Sequence, residues 1–372
     1  MKVLQMFAEP FSSGGQEAFI MNMYENIDKN KVQFDFFTPY YCDNVKMKER
    51  IESMGGRIFA QNGSFDSKNR KKIFIKEAKE FLKLHKYDII HIHSGSIFAL
   101  AFGSKIAKKS GAKRVIVHSH VTGINTIKYR IIKKISERIF LKNATDYLAC
   151  SHMAAEWKFP EEIIEKKEYT VLHNGIELEK YKFSEEARKE YREKFGLQGN
   201  FVICNIGRLV EQKNQEFLID IFNEICKKNA NSKLLLIGEG EKEDILKAKV
   251  KDLKLEDKTI FLKKRNDIEK ILQAADVFVF PSIMEGLGIA AIEAQAAGLP
   301  TICSENIPED ANLTSLFHTV RLEDGSVAWR DEILKYINYQ RNQESIKELK
   351  EKGYNAIDCA KNLELIYMRK EA

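Results

Sequence analysis

The sequence lacks the features that mark several classes of protein. None of its apolar runs reaches the roughly 18 residues that a transmembrane helix needs. Its start, MKVLQMFAEPF, is a short apolar run with one lysine, which is typical of a strand and not of a signal peptide. Its six cysteines are scattered without C-x-x-C spacing, and this favours free thiols in a reducing cytoplasm over disulfides or a zinc site. We therefore expect a cytoplasmic protein.

Two motifs of cofactor binding are also missing. No Asp-x-Asp pair stands where a divalent metal would bridge a diphosphate, so we expect neither a metal nor another cofactor. The segment Phe11-Ser-Ser-Gly-Gly-Gln does not have the G-x-G-x-x-G spacing of a nicotinamide dehydrogenase. The chain does have 372 residues, of which 44% are hydrophobic and 31% charged, and these values are typical of a globular protein with two domains.

Short apolar runs alternate with amphipathic segments along the whole chain. This alternation predicts parallel β-sheets with helices on both faces. The series restarts near residue 200, so we predict an α/β fold of two doubly wound, Rossmann-like domains with a cleft between them and a boundary near residue 175. The predicted strands are Lys2–Phe7, Phe34–Thr38, Asp88–His93, Arg114–His118, Asp146–Cys150 and Tyr169–Leu172, then Phe201–Ile206, Lys233–Ile237, Thr259–Leu262, Asp276–Pro281 and Pro300–Cys303.

Glycines and polar residues stand where many of these strands end. Ligands of doubly wound sheets bind beyond the carboxyl ends of the strands, so these residues are candidates for a binding site. We expect the two histidines of His118-Ser-His120 to alternate, so that only His120 faces the cleft, and we expect His91 and His93 to be packing or loop residues. The candidates at the strand ends are Gly14, Gly15, His120, Asn174, Gly207, Arg208 and Gly238.

Two glutamates mark the most informative segment, FVFPSIMEGLGIAAIEAQAAGLP. We predict a buried strand before Glu285, a tight loop, and a short helix from Ile289 to Ala297 that is buried on most faces. The loop amides of Gly286, Leu287 and Gly288 would form an anion site at the start of that helix, and the carboxylates could accept sugar hydroxyls. The alternative is a core helix that Glu285 caps, with Glu293 bound to the backbone.

Two cations follow the first strand of the second series, in GRLVEQKN. Arg208 stands at the strand end, and Lys213 lies beside the start of a predicted helix at Asn214. Together they are suited to a diphosphate and offer a metal-free way to stabilise a departing nucleotide diphosphate. The alternative is that both are ordinary surface cations.

The basic charge is concentrated in the first half of the chain. Residues 1–165 carry a net charge of +9 and the remainder −3. Within Ile127–Asn143, isoleucines recur at helical spacing among lysines and arginines, which predicts either a helix on an anionic membrane surface or an amphipathic helix on the protein core. Aromatic residues do not interleave with the basic ones, so we do not expect nucleic-acid binding.

Taken together, these motifs resemble those of the family 4 retaining glycosyltransferases with the GT-B fold, in particular the EpsF-like group of exopolysaccharide and capsule biosynthesis. The resemblance runs in order over essentially the whole chain and is most specific in the second half. The sequence departs from many relatives at Val121, which follows the histidine triplet. The resemblance rests on Gly14-Gly15-Gln-Glu, His118-Ser-His120, His173-Asn-Gly-Ile, Gly207-Arg208 with Lys213, Phe261–Arg265, and Glu285 with seven residues to Glu293.

The resemblance implies how the second domain would bind its donor. Glu293 would hold the ribose hydroxyls, and Glu285 would contact the donor sugar while the amides after it hold the distal phosphate. Arg208 and Lys213 would neutralise the diphosphate. Lys264-Arg265 would frame the base.

The resemblance also implies the role of the first domain. Gly15 would let the first helix approach donor and acceptor, and His120 would reach the transferred sugar across the cleft. Residues 1–174 would form the acceptor-side domain, completed by a returning C-terminal helix in 353–372, and residues 175–352 would bind the nucleotide-sugar.

The implied activity is retaining, metal-independent transfer of a hexosyl or N-acetylhexosaminyl group. The expected donor is a UDP-sugar and the expected acceptor a lipid-linked saccharide. The enzyme would dock on the inner leaflet of the cell membrane through 127–143. A nucleotide-sugar 2-epimerase of the same fold and a non-catalytic partner subunit are the alternatives.

Overall fold

The computed structural model describes residues 1–11, 15–61, 65–66, 68–120, 126–341 and 343–369. The chain divides into two compact units. The first unit comprises Met1–Gly175 together with Ala356–Ala372, and the second comprises Ile176–Asn355. The boundaries predicted from the sequence lie one and three residues from these.

The first unit is a parallel sheet with helices packed around it. Its described strands follow the order β3-β2-β1-β4-β5-β6-β7, so the chain winds outward from the centre in both directions. The strands are β1 Lys2–Phe7, β2 Gln33–Thr38, β3 Arg57–Ala60, β4 Ile89–Ser94, β5 Arg114–Ser119, β6 Asp146–Ala149 and β7 Thr170–Val171. The helices are α1 Gly15–Asn26, α2 Val45–Ser53, α3 Arg70–Leu84, α4 Ile97–Lys109, α5 Ile127–Asn143, α6 His152–Lys158, α7 Glu161–Glu165 and, from the end of the chain, α16 Ala356–Met368.

The last helix closes one face of this sheet. It packs beside α1, because both present apolar residues to the central strands. The ring of Tyr367 lies 5.8 Å from that of Phe34 in β2, and both are buried in the same core cluster. The last helix thus completes the cover that α1 begins on this face.

The second unit repeats the architecture with a smaller sheet. The described strands are all parallel, in the order β10-β9-β8-β11-β12-β13. They are β8 Phe201–Ile206, β9 Ser232–Ile237, β10 Thr259–Leu262, β11 Val277–Phe280, β12 Thr301–Ser304 and β13 Phe317–Val320. The helices are α8 Leu178–Tyr181, α9 Glu185–Lys194, α10 Gln215–Lys228, α11 Glu243–Asp252, α12 Ile268–Ala274, α13 Ile289–Ala296, α14 Gly325–Leu334 and α15 Glu344–Glu351.

Two glycines allow the turns after β8 and β9 to touch backbone to backbone. A Cβ added at Gly238 would lie 2.0 Å from the carbonyl oxygen of Gly207, and one at Gly240 would lie 2.2 Å from that of Leu209. Gly238 also has a φ of +143°, a conformation that L-residues rarely adopt. Only glycine at these positions lets the two strand ends come this close.

The predicted fold class is confirmed, and the predicted strands lie within a residue or two of the observed ones. Two strands were missed, β3 and β13. Both lie at an edge of their sheet and are only partly buried, so their sequences do not show the apolar run of a central strand.

Candidate functional site

The carboxyl ends of the strands in the second sheet collect most of the residues that the sequence analysis singled out. Gly207 and Arg208 follow β8, and Gly238 follows β9. Lys264 follows β10, and the loop with Glu285 follows β11. Because all these strands are parallel, their ends lie on one edge of the sheet.

The centre of this edge is an ion pair between Lys213 and Glu285. Their Nζ and Oε1 atoms are 2.5 Å apart, and the two side chains are only 15% and 9% exposed. Lys213 ends the short 3₁₀ turn Glu211–Lys213, and its ammonium lies 4.8 Å from the centre of the Phe280 ring. Its alkyl chain passes Gly207, where an added Cβ would lie 3.4 Å from its Cδ and Cε. The lysine stem thus packs directly beside Gly207 on its way to the glutamate.

Lys213 is therefore not the surface cation that one interpretation of the sequence proposed. Arg208 is exposed, and its guanidinium makes no ion pair with any residue the structure describes. The structure places the two cations in different environments, one enclosed and fixed, the other open to solvent. Lys213 is enclosed because its aliphatic part is buried beside Gly207 and Phe280.

The loop after β11 leads into α13 through a glycine in the left-handed region. Gly288 has a φ of +84° and occupies the N-cap position of α13, with no side-chain capping bond. The Oε1 atom of the Glu285 carboxylate before this helix accepts from Lys213. Gly286 lies in the same loop, and the amides of Leu287 and Gly288 donate to no acceptor in the described parts of the chain.

Glu293 lies on α13 and is bound by a side chain, not by the backbone as one interpretation of the sequence had it. The hydroxyl of Tyr181, from α8, donates to its Oε1 at 2.7 Å. Burial raises the pKa of the Glu293 carboxyl to about 7, although the Tyr181 hydrogen bond opposes that rise. The carboxyl thus changes its charge near neutral pH, and a ligand that needs the ionised form would bind in a pH-dependent way.

The turn after β10 carries the residues predicted to frame a base. Lys264 is exposed. Arg265 is held in place by Asp267, with Nε to Oδ1 at 2.8 Å and Nη2 to Oδ2 at 2.5 Å. The Arg265 guanidinium holds the pKa of Asp267 at about 2, so the pair stays charged at neutral pH. The hydrogen-bonding edge of Arg265 is occupied, but its planar face is not used by this pair.

In the first unit, the prediction that His118 and His120 alternate is wrong. Residues two positions apart on a strand point to the same face, and the two rings stack with their centres 4.0 Å apart. His91 and His93 of β4 lie beside them, and all four are buried. His91, His93 and His118 each bring one ring nitrogen within 4.8 Å of the others, close enough to be considered as metal ligands.

The remaining first-unit candidates lie at the same edge of that sheet. Gly15 begins α1, and a Cβ added there would meet nothing within 4 Å. Asn174 is buried, and its Oδ1 has no hydrogen-bond partner among the described residues. Gly14 and Val121 lie outside the described residues.

Helix α5 exposes the stripe of isoleucines that the sequence places on one face. Ile127, Ile131 and Ile135 are 78%, 59% and 56% exposed, whereas Ser136 and Phe140 face the core. The helix thus packs on the core, as the second alternative had it, but through Ser136 and Phe140 and not through these three isoleucines. No helix in the described part of the chain is long and apolar enough to cross a membrane.

Sequence reasoning missed three residues that hold these sites together. Tyr181 binds Glu293 from 112 positions away, and Tyr367 and Gln5 bind the buried histidines. No local pattern connects residues so far apart. A polar residue within an apolar strand, as Gln5 is in β1, was the one available signal.

Comparison with known proteins gives consistent matches over both units. Residues 13–180 match the family model of Glycosyltransferase Family 4, and residues 187–352 match that of Glycosyl transferases group 1. EpsF of Bacillus subtilis strain 168, a protein named as a glycosyltransferase, is 31% identical over 352 residues, which cover 92% of this chain and 90% of EpsF.

Two further proteins are similar over much of the chain. The Escherichia coli UDP-Gal:alpha-D-GlcNAc-diphosphoundecaprenol alpha-1,3-galactosyltransferase is 35% identical over 278 residues, which cover 72% of this chain and 65% of that enzyme. Among solved structures, Anabaena HepE in complex with UDP and glucose superposes with a TM-score of 0.76, covering 99% of this chain and 100% of HepE. Its sequence identity of 17% supports a shared fold alone.

Proposed function

Since the chain belongs to the family 4 glycosyltransferases, we propose that it transfers a sugar from a UDP-sugar to a lipid-linked saccharide, with retention of configuration, in the synthesis of a surface polysaccharide. The observation that carries this proposal is the enclosed Lys213–Glu285 pair at the same sheet edge as Glu293. The similarity to an enzyme named for a UDP-galactose donor and a diphosphoundecaprenol-linked acceptor supports the choice of substrates.

The nucleotide diphosphate would bind at the carboxyl edge of the second sheet. Lys213 places a fixed positive charge there, and Arg208 is free to close on a bound phosphate. Leu287 and Gly288 directly precede α13, and the dipole of this helix favours an anion at its start. Arg208, Lys213 and the helix N-terminus would together attract the diphosphate, while Glu285 balances part of the lysine's charge.

The two glutamates would bind hydroxyl groups on either side of that diphosphate. Glu293 has one oxygen bound to Tyr181, and its ionised carboxylate has further lone pairs for the ribose hydroxyls. Glu285 would accept hydroxyls of the sugar while Lys213 holds it. Lys264 and Arg265 would lie against the base.

In the proposed reaction the bond between the anomeric carbon and the diphosphate oxygen breaks. The acceptor hydroxyl oxygen bonds to the same face of that carbon, and its proton passes to the leaving phosphate oxygen. Lys213 and Arg208 stabilise the negative charge that develops on the diphosphate, so the chemistry assigns no step to a metal. Glu285 serves as a positioning group, because its carboxylate is already paired with Lys213.

Release of UDP with and without acceptor tests this function. We expect release from a UDP-sugar to depend on an added undecaprenyl-diphosphate saccharide, with the sugar found in the lipid product. A 2-epimerase would release UDP without the acceptor, and a non-catalytic subunit would release none. Either result would overturn the proposal.

A matched pair of lysine variants tests the site. Lys213→Ala should lower kcat/KM by about 10²-fold, because one charge opposite the leaving group is lost. Lys249→Ala also removes an ion pair of the second unit, with Asp220 at 2.7 Å, but on the helices α10 and α11. We expect this control to keep its activity; equal losses in both variants would contradict the site.

We further propose that α5 holds the enzyme at the inner leaflet of the cell membrane. The exposed isoleucines would enter the interface, and the neighbouring Lys133 and Lys134 would contact anionic headgroups. Trp157 of α6 stacks on Tyr129 of α5 at 4.5 Å, which adds aromatic surface beside the stripe. This location brings the active site to a lipid-linked acceptor.

A further inference from the structure

Six buried side chains in the first unit form one continuous hydrogen-bonded chain. It crosses the three central strands of the sheet and reaches the last helix. Each link joins two side chains and needs one donor and one acceptor. The nitrogen that carries the proton on one ring therefore determines which nitrogen carries the proton on the next. Its members in order are His120, His93, Gln5, Tyr367, His91 and His118.

The rings in this chain are neutral. Burial lowers the pKa of His120 to about 3, and lowers the pKa of His91, His93 and His118 well below the usual value. A neutral imidazole has one N–H and one lone pair, so each ring must donate at one nitrogen and accept at the other. The tautomer of every ring is therefore coupled to that of its neighbour.

The direction of the chain follows from the orientation of the Gln5 amide, whose oxygen faces His93 and whose nitrogen faces Tyr367. Its Oε1 lies 2.9 Å from Nε2 of His93, which must therefore carry the proton. Nδ1 of His93 is then a lone pair, and it lies 2.9 Å from Nε2 of His120. His120 consequently carries its proton on Nε2 and leaves Nδ1 as a lone pair.

The other end of Gln5 fixes the second branch in the same way. Its Nε2 donates to the Tyr367 hydroxyl at 3.0 Å, and that hydroxyl donates to Nδ1 of His91 at 2.7 Å. His91 then donates from Nε2 to Nδ1 of His118 at 3.2 Å. These bonds already use the facing nitrogens of His91 and His118, so a cation between them would have to break the chain.

Within the described part of the chain, the free end of the first branch is a buried acceptor without a partner. Nδ1 of His120 accepts no hydrogen bond from the described residues. Phe19 lies against the ring at 5.4 Å, and Phe7 stacks on His93 at 4.9 Å, so the rings are held in an apolar frame. A buried lone pair of this kind costs free energy until a donor reaches it.

We propose that Gln5 is a positioning residue that, through His93, holds His120 as the Nε2–H tautomer, so that Nδ1 accepts a hydrogen bond from a sugar hydroxyl at the carboxyl edge of the first sheet. This inference rests on the proposed transferase function. A hydroxyl can donate to the lone pair, whereas the oxygen of a phosphate or carboxylate cannot. The hydrogen-bonded side chains thus favour a neutral saccharide hydroxyl over an anion at Nδ1 of His120.

Nitrogen-15 NMR of the histidine rings in the whole protein tests the tautomer without any substrate. We expect His120 to carry its proton on Nε2 and none on Nδ1 at neutral pH. In Gln5→Met, which removes the acceptor of His93, protonation of His120 at Nδ1 should appear. Gln5→Glu keeps an acceptor oxygen facing His93 but loses the donor to Tyr367, so it should keep the proton of His120 on Nε2 and disturb only the branch through His91. A proton on Nδ1 in the wild type, or a bound zinc ion that replaces these signals, would overturn the proposal.

Ligand titrations test whether a sugar hydroxyl binds His120 and whether it belongs to the donor or the acceptor. UDP-glucose or UDP-galactose should shift the His120 signals if the hydroxyl belongs to the donor, and an octyl glycoside should do so if it belongs to the acceptor. Gln5→Met should weaken binding of the effective ligand about fivefold, the loss of one hydrogen bond, while UDP binds unchanged. A shift with UDP or inorganic phosphate alone would overturn the proposal. If no UDP-sugar binds the wild type, the proposed function fails while the tautomer result stands.

Discussion

Replacing Tyr181 with phenylalanine should move the pH dependence of donor binding. In the wild type, the Glu293 carboxyl has a pKa of about 7, so about half of it is ionised at pH 7. If the ribose hydroxyls bind only the carboxylate, affinity for a UDP-sugar should rise about tenfold from pH 6 to pH 8. This rise is a signature of Glu293, because the diphosphate of a UDP-sugar does not titrate in that range.

The size of the shift follows from the bond that the substitution removes. The Tyr181 hydroxyl donates to Oε1 at 2.7 Å and lowers the pKa of Glu293. A hydrogen bond to a charged group contributes about 1.5 kcal/mol, which corresponds to about one pH unit. In Tyr181→Phe the ionised fraction at pH 7 should therefore fall from about a half to about a tenth, and binding should weaken about fivefold.

Calorimetric titration of UDP-glucose at several pH values measures this effect. The loss in Tyr181→Phe should shrink toward pH 9, where Glu293 is ionised in both proteins. Tyr354→Phe is a suitable control, because the Tyr354 hydroxyl donates to the backbone carbonyl of Asp310 at 2.7 Å and not to a carboxyl group. A wild-type affinity that is constant from pH 6 to pH 9, or a loss in Tyr181→Phe that is equal at every pH, would refute the reasoning.

Three further outcomes are expected. Gly238→Ala should destabilise the second unit by about 3 kcal/mol in urea denaturation, because its φ of +143° and the 2.0 Å approach of its added Cβ to the Gly207 oxygen both oppose a side chain. The free energy of unfolding of the first unit should fall as the pH drops from about 6.5. The pKa of His120 is lowered to about 3 in the folded state, so the unfolded state takes up the proton first. For this residue the loss in free energy of unfolding is about 2 kcal/mol at pH 5. Neutralising Lys133 and Lys134 should lower partitioning onto anionic liposomes by about 30-fold in a sedimentation assay, at about 1 kcal/mol for each charge.

Each of these outcomes has a control within the chain. Gly111 also has a positive φ, but an added Cβ meets nothing within 4 Å, so Gly111→Ala measures the backbone strain alone. His120→Gln should reduce the pH dependence of the free energy of unfolding by about 1.4 kcal/mol per pH unit at pH 5. Glu9 acts in the opposite direction in both proteins, because burial raises its pKa to about 7 and it binds a proton more tightly in the folded state. Neutralising Lys108 and Lys109 on α4 removes two positive charges, as neutralising Lys133 and Lys134 does, but on a different helix. Equal losses in control and variant would contradict the corresponding inference.

Much of the fold follows from local patterns in the sequence. The run before Glu285 is apolar and the run after Gly288 is apolar on nearly every side, which predicts the buried strand β11 and the buried helix α13. The edge strands β3 and β13 were missed because they are only partly buried, so no apolar run marks them. The stripe of isoleucines in α5 is plain in the sequence, but the helical period alone does not say whether that stripe meets the core or solvent.

Local patterns in the sequence predict the two doubly wound sheets and the positions at which glycine, charge and histidine follow a strand, because strand periodicity and turn chemistry act over a few neighbouring residues. Which of those residues meet depends on the tertiary fold. It paired Lys213 with Glu285 over 72 positions, brought Tyr181 to Glu293 over 112, and joined Tyr367 to His91 over 276. These contacts depend on which strands are neighbours and which faces pack, and they set the charge of Glu293 and the tautomers of the buried histidines.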